Sequence, residues 1–270
     1  MEDSQVSAWP RPAFQPSDQP TEIFFVAFGK APLRDLPLSR SLFGLPDVQL
    51  LEKLDVREHQ RAQSREWFEN WWGGAFGKIA QQDLGEQLPL LTESNLCHTL
   101  SFDVPDRADL APQQTIWGLT RWLCVRGVSV ALDVHAMRFR TRAEVEALSF
   151  AGADLERDVK LVFETEPTQG KLHLMHTRGL CKFARPELIG YIESGDVDAM
   201  ARLLNEGAEA LMNGATPQQL RLGSIDGARL QTVPSTDQPL IDSLGLRRAV
   251  VLRRAGGAEL TGLSRLVPAT

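Results

Sequence analysis

Runs of β-branched and aromatic residues recur along the chain and predict strands, because such side chains suit a pleated, buried surface. The clearest runs are residues 22–28, 96–104 and 128–134, in which apolar side chains continue or alternate with a period of two. Residues 159–165 and 171–177 flank a Pro-Thr-Gln-Gly turn. This pair predicts an antiparallel hairpin.

Other stretches carry apolar residues three and four positions apart, which is the spacing of an amphipathic helix. It predicts helices over residues 112–126 and 197–213, each followed by a glycine. A capping-box pair predicts a short helix at 141–148. A similar pair at Asp55, with no proline or glycine before positions 73–74, predicts a long helix between them.

The order of these elements predicts an α+β fold, in which a mixed or mostly antiparallel sheet packs against helices. A ferredoxin-like arrangement, single or duplicated, is one version of it. Residues 219–263 are expected to form short strands. Residues 1–20 are acidic and proline-rich, so we expect a flexible arm followed by one globular domain, 21–270, with a sub-boundary near 150–158.

The composition narrows the function classes. The chain has 270 residues and a net charge of −6, which disfavours a nucleic-acid partner. It lacks a signal peptide and any apolar run of about 18 residues, so we expect a cytoplasmic protein without a membrane contact. Three dispersed cysteines, Cys97, Cys124 and Cys181, indicate neither a disulfide framework nor a zinc ribbon.

Catalytic and metal-binding motifs are missing from the sequence. His173 and His176 form an H-x-x-H pair, but they lie in a predicted strand, where residues three apart point to opposite faces. No nucleophile elbow, P-loop or zinc motif occurs. We therefore expect no metal and no cofactor, and a protein that is not an enzyme.

The most distinctive segment, residues 176–192, places three cations close together: Arg178, Lys182 and Arg185. They follow a predicted strand, and Pro186 is expected to open a helix. One interpretation is an anion-binding site, since helix N-termini favour negative charge. The other is a structural connector whose cations pair with acidic residues of the surface.

An aromatic cluster ends the predicted helix that starts at Asp55. Its members are Trp67, Phe68, Trp71 and Trp72. Two pairs of them are four residues apart, so two adjacent helix faces are aromatic. The cluster is expected to be either core or a protein-interaction surface.

The pattern T-R-G-L-x-K-F-x-R-P-E-L, at residues 177–188, resembles conserved bacterial proteins known only as domains of unknown function. Residues 112–134 are similar to the same group, and the likeness spans about 97–213. Some relatives occur near toxin–immunity genes, which implies a binding role and no catalytic residue.

The leading hypothesis is therefore a non-enzymatic bacterial binding or interaction protein, immunity-like or regulatory, with a protein partner. The alternative is an enzyme or small-ligand binder that acts on an anionic compound through residues 178–185. The two differ in whether these cations converge on a concave surface.

Overall fold

A computed structural model describes residues 6–30, 33–46, 48–169, 172–225, 228–256, 260, 263 and 266–267. The chain divides into two compact units. Unit 1 consists of Met1–Pro10, Pro20–Pro105 and Asp109–Ala153, and unit 2 of Arg11–Gln19, Asp106–Ala108 and Asp154–Thr270. The main boundary lies after Ala153; the single domain 21–270 with a sub-boundary near 150–158 stays a prediction. Both units combine helices with a sheet, which confirms the α+β class.

Unit 1 contains five strands and seven helices within the described residues. The strands are β1 (Pro20–Gly29), β2 (Asp55–Gln60), β3 (Leu96–Pro105), β4 (Val128–Asp133) and β5 (Arg138–Thr141). The helices are α1 (Arg40–Phe43), α2 (Val48–Leu51), α3 (Arg65–Glu69), α4 (Gly74–Leu84), α5 (Pro89–Thr92), α6 (Ala111–Arg126) and α7 (Arg142–Ala147).

The sheet of unit 1 has the order β2-β3-β1-β4-β5, and all its pairs are antiparallel. Read from β4 to β2, the order is 4-1-3-2. This is the order of a ferredoxin-like sheet, to which β5 adds an edge. Helix α6 connects β3 to β4, as that arrangement requires, whereas α3, α4 and α5 replace the usual short turn between β2 and β3.

Both faces of this sheet are covered. Val26 and Phe28 of β1 pack in one core cluster with Phe68 of α3. On the opposite face, the Phe25 ring meets Trp117 of α6 edge-to-face, with centroids 4.9 Å apart. Two covered faces explain why β1 is a continuous apolar run and not an alternating one.

The long helix predicted from Asp55 to the glycine pair is wrong. Residues Asp55–Gln60 form β2, which pairs with β3 at the sheet edge, and only Arg65–Glu69 become helical in the rest of that stretch. Gly74 begins α4 instead of stopping a helix. The polar sequence of β2 suits an exposed edge strand, whose charges discourage pairing with another chain.

Unit 2 contains seven strands and three helices within the described residues. The strands are β6 (Lys160–Gln169), β7 (Leu172–Arg178), β8 (Glu187–Ile192), β9 (Ser224–Ile225), β10 (Ala228–Pro234), β11 (Ala249–Arg254) and β12 (Leu266–Val267). The helices are α8 (Leu155–Asp158), α9 (Val197–Met212) and α10 (Gln238–Ser243).

The sheet of unit 2 has the order β12-β9-β10-β11-β8-β7-β6. Strands β8 and β11 run parallel, whereas the neighbouring pairs are antiparallel. Helix α9 lies against β8 so closely that a Cβ added to Gly190 would come within 2.4 Å of the Met200 sulfur. Ile241 of α10 packs with Ile189 of β8 in a separate core cluster.

The helix predicted to open at Pro186 is also wrong, because residues Glu187–Ile192 form the buried strand β8. Pairing with β7 on one side and β11 on the other decides this, and the β11 residue that pairs with Glu187, Ala249, is distant in sequence. In the C-terminal region, two of the predicted short strands appear as β10 and β11. Of the one expected at 259–263, only Leu260 and Leu263 lie among the described residues.

The N-terminal segment contains buried residues in each unit, and the expected flexible arm at residues 1–20 stays a prediction. Residues 1–5 lie outside the described residues. In unit 1, Trp9 is 6% exposed and its backbone N–H donates to the Gln114 side chain at 2.8 Å. In unit 2, Arg11 is buried as well. Hydrogen bonds fix Trp9 within unit 1 and Arg11 within unit 2. The proline-rich composition does not predict these bonds.

Candidate functional site

The distinctive motif at residues 177–188 forms the connection from β7 to β8. Gly179 takes φ +112°, which favours glycine, and a 3-10 turn follows over Leu180–Phe183. Ala184 then adopts φ +55° before β8 begins. The chain thus makes a compact reversal and not the start of a helix.

Glu187 holds this reversal together. One carboxylate oxygen accepts the backbone N–H groups of Gly179 and Leu180, at 2.8 and 2.9 Å. The other accepts the Thr177 hydroxyl at 2.7 Å, and that hydroxyl accepts the Leu188 N–H at 2.8 Å. Burial raises the pKa of Glu187 despite these donors. The side chains of Thr177 and Glu187 therefore bond three backbone N–H groups of the motif itself.

All three predicted cations have internal partners. Arg178 donates to the Leu244 carbonyl at 2.6 Å, and burial lowers its pKa. Lys182 is 2% exposed. Burial opposes ionisation of Asp158, but the charges of Arg157 and Lys182 outweigh it and lower the pKa of that carboxyl.

The third cation, Arg185, is 2% exposed and donates in several directions. It forms an ion pair with Asp106 at 2.9 Å. Its remaining N–H groups reach the carbonyls of Ala215 at 2.8 Å and of Gly214 and Gln15, both at 2.7 Å. The three predicted cations thus point to different partners instead of enclosing one ligand.

A cavity of about 580 Å³ lies beside Arg185 in unit 2. We call it the arginine pocket. Its lining residues are Pro16, Ser17, Asp18, Ala184, Arg185, Pro186, Thr216, Pro217, Gln218, Pro234, Ser235, Gln238, Ile241, Arg247, Arg248, Ala249 and Val250. It combines rigid apolar walls with hydroxyl and amide groups and with cations.

The parallel pair of strands creates this pocket. Residues just before β8 and just before β11 meet at one end of the sheet, where the Glu187 N–H donates to the Arg248 carbonyl at 3.0 Å. Arg247 and Arg248 are both exposed and line the pocket. The sequence pattern predicts both arginines as part of a strand. The signal that points to a site is a pair of cations directly before an apolar run.

The aromatic cluster of unit 1 is divided between core and surface. Phe68 is fully buried, whereas Trp67, Trp71 and Trp72 are half-buried and pack around the same core. Trp67 stacks on the ring of His59 of β2, with centroids 4.2 Å apart. These tryptophans close one edge of the core, and whether they also meet a partner stays a prediction.

The two histidines of the H-x-x-H pair lie in β7, as the sequence predicts. His173 is 3.0 Å from the Ser194 hydroxyl, whereas His176 is buried, with its Nδ1 3.1 Å from the Thr177 carbonyl. Burial lowers the pKa of His176, although Glu164 lies 3.6 Å away. The two histidines therefore contact different residues.

The described residues contain no group of three or more His, Cys, Asp or Glu side chains arranged to hold a metal ion. Cys97 and Cys124 are buried thiols, and burial raises the pKa of each to about 12. Cys181 is partly exposed. In the described part of the chain, no helix has the length and apolar character needed to cross a membrane.

Comparison of the chain with protein-family models, with curated proteins and with solved structures finds no match in any of the three. The resemblance of residues 177–188 to bacterial domains of unknown function therefore stays a prediction. The geometry of the two units carries the functional argument.

Proposed function

We propose that this chain is a non-enzymatic binding protein, and that the arginine pocket receives the anionic group of its ligand. The observation that carries the proposal is the presence of the exposed side chains of Arg247 and Arg248 in a cavity of about 580 Å³. Cavities of roughly 300–1,000 Å³ are typical of small-molecule sites. Guanidinium groups suit carboxylates and phosphates because they donate in a planar fork.

The lining of the pocket supports binding and not catalysis. Its charged members among the described residues are Asp18 and the three arginines. Arginine stays protonated and offers no acceptor, so it cannot serve as a general base. The described lining residues include no histidine, lysine or glutamate, and their one carboxylate, Asp18, has no second acid or base beside it in the lining.

Buried groups with displaced pKa values lie elsewhere. His98 and the two buried thiols belong to unit 1, and Glu187 and His176 belong to the interior of unit 2. None of them lines the pocket. Displaced pKa values mark catalytic sites when they coincide with a cleft, and here the two features are separate.

The resemblance to bacterial domains implies a binding role, and the proposal adds a site and a class of ligand to it. An immunity-like or regulatory protein acts by holding a partner or effector. An anionic ligand in the arginine pocket would supply such a contact. The alternative route through residues 178–185 receives less support, because Lys182 and Arg185 are buried, whereas Arg247 and Arg248 are exposed.

The experiment is calorimetric titration with inorganic phosphate, phenyl phosphate and benzoate, followed by the same titrations on two variants. The double variant Arg247→Ala/Arg248→Ala removes the exposed cations of the pocket. Arg221→Ala is the matched control, since Arg221 is an exposed arginine of unit 2 outside the lining.

We expect at least one probe to bind the wild type and the control alike. A hydrogen bond to a charged group contributes about 1.5–3 kcal/mol, so the double variant should bind at least roughly ten-fold more weakly. Binding should also raise the melting temperature of the wild type by mass action. If no probe binds the wild type, or if the double variant binds equally well, the proposal fails.

A further inference from the structure

One wall of the arginine pocket comes from the far end of the sequence. Pro16, Ser17 and Asp18 line the pocket, although the other lining residues come from positions 184–250. They belong to residues 11–19, which we call the N-terminal strap. The strap is a separate piece of unit 2 in sequence and contributes no strand to the sheet of that unit.

Asp106 fastens the strap through a buried ionic cluster. Its carboxylate pairs with both Arg11 and Arg185, and each of the three side chains is 1% exposed. The same carboxylate accepts the backbone N–H of Ser17 at 2.9 Å. A buried carboxylate needs such partners, because leaving it unpaired is strongly unfavourable. Asp106 thus holds both ends of the strap to unit 2.

Backbone hydrogen bonds fix the middle of the strap. The N–H of Ala13 donates to the Asn213 carbonyl at 2.9 Å, and the N–H of Gln15 donates to the Gly214 carbonyl at 3.0 Å. The fit at Gly214 is close: an added Cβ would lie 2.5 Å from the Phe14 Cα atom. A side chain at position 214 would therefore require the strap or the Gly214 backbone to shift.

Arg185 connects the strap to the pocket. It donates to the Gln15 carbonyl at 2.7 Å and also belongs to the pocket lining. We infer that the strap is part of the ligand site, a wall whose docking, secured by Asp106, sets the affinity for the anion. By thermodynamic linkage, a bound ligand that touches the strap also stabilises the docked strap. The factor equals the one by which docking of the strap raises the affinity for the ligand. This inference rests on the proposed function.

The test perturbs the strap without touching the exposed arginines. Gly214→Ala should displace it by steric conflict with Phe14. Gly256→Ala is the matched control, since Gly256 has a similar φ of +93° against +105° but open space around its Cβ position. Arg11→Met is a second variant, which removes one partner of Asp106 and keeps most of the side-chain volume.

Two measurements are made on the full-length protein. Hydrogen exchange of residues 13–17 reports strap docking without any ligand. Calorimetric titration with phenyl phosphate reports affinity. Exchange of the α9 amides shows whether unit 2 keeps its fold in each variant.

In the wild type and Gly256→Ala we expect strap amides to be protected, and saturating phenyl phosphate to slow their exchange further. In Gly214→Ala and Arg11→Met the strap amides should exchange rapidly while α9 stays protected, and affinity should fall at least about five-fold. If the strap amides of the variants exchange rapidly but the affinity for phenyl phosphate is unchanged, this inference is wrong and the proposed function stands. Unprotected strap amides in the wild type would also overturn this inference and leave the proposed function standing. A protected strap with no probe bound to the wild type refutes the proposed function, and this inference with it.

Discussion

Replacing Phe68 with alanine tests whether the aromatic cluster stabilises unit 1. Phe68 is 0% exposed, and its ring centroid lies 5.6 Å from that of Trp67, 6.2 Å from Trp72 and 6.4 Å from Phe28. Truncating a buried phenylalanine costs about 3–5 kcal/mol. Edge-to-face contacts add about 0.5–1.5 kcal/mol per pair beyond burial, so we expect the upper half of that range.

The distribution of fluorophores makes the assay specific for unit 1. The protein has six tryptophans and one tyrosine. The tyrosine, Tyr191, belongs to unit 2, whereas the tryptophans all belong to unit 1: Trp9, Trp67, Trp71, Trp72, Trp117 and Trp122. Urea titration followed by tryptophan fluorescence therefore gives the free energy of unfolding of unit 1, extrapolated linearly to water.

Leu42→Ala is the control, because Leu42 is 67% exposed and its truncation should change the free energy of unfolding by no more than about 0.5 kcal/mol. Trp72→Ala, at a half-buried position, should cost less than Phe68→Ala. A loss below about 1 kcal/mol for Phe68→Ala, with an unchanged urea dependence, would refute the assignment of this residue to the core.

Three further predictions concern packing, protonation and thiol reactivity. Gly118→Ala should destabilise unit 1 by about 1–3 kcal/mol, because the added Cβ would lie 2.3 Å from the Phe43 carbonyl oxygen; Gly152→Ala, with open space, should be nearly neutral by the same titration, and equal effects would contradict this. Burial lowers the pKa of His98 below its ordinary value of 6.5, so its contribution to stability is present above that pH and is lost as the pH falls through the folded-state pKa. Acidification from about pH 7.5 to about 5.5 should therefore lower the urea midpoint of unit 1 more in the wild type than in His98→Leu, and parallel losses would exclude this role. A colorimetric thiol reagent should modify Cys181 first and the two buried cysteines only on unfolding, since burial raises their pKa to about 12; rapid labelling of all three thiols would be inconsistent with this.

The elements that sequence patterns predict correctly are those in which local preference and burial agree. Strand β1 and helix α6 carry long apolar patterns that bury both faces of the strand and most of the helix. The Thr141–Glu144 capping box forms as expected, because both hydrogen bonds lie within four consecutive residues. A short window of sequence is sufficient to predict these elements, because the local preference agrees with the global fold.

The two wrong helices fail for a common reason. Strand β2 is polar because it lies at an edge, and its pairing with β3 joins positions some forty residues apart in sequence. Strand β8 follows a proline that also suits a helix start, but it is buried between β7 and β11. Tertiary pairing decides both segments, because β3 and β11 are distant in sequence from the strands β2 and β8 with which they pair.

The candidate site depends on the same long-range pairing. The motif at 177–188 attracts attention because it concentrates charged residues, yet the structure directs Glu187, Arg178 and Arg185 to internal backbone groups and to Asp106. Buried polar groups of this kind need hydrogen-bond partners, which restricts the residues that each position accepts. A conspicuous charged motif is therefore consistent with a structural role. The exposed cations of the arginine pocket lie instead before β11, and they reach the pocket only because β11 pairs in parallel with β8. That pairing is the step by which the fold, and not the motif, creates a site.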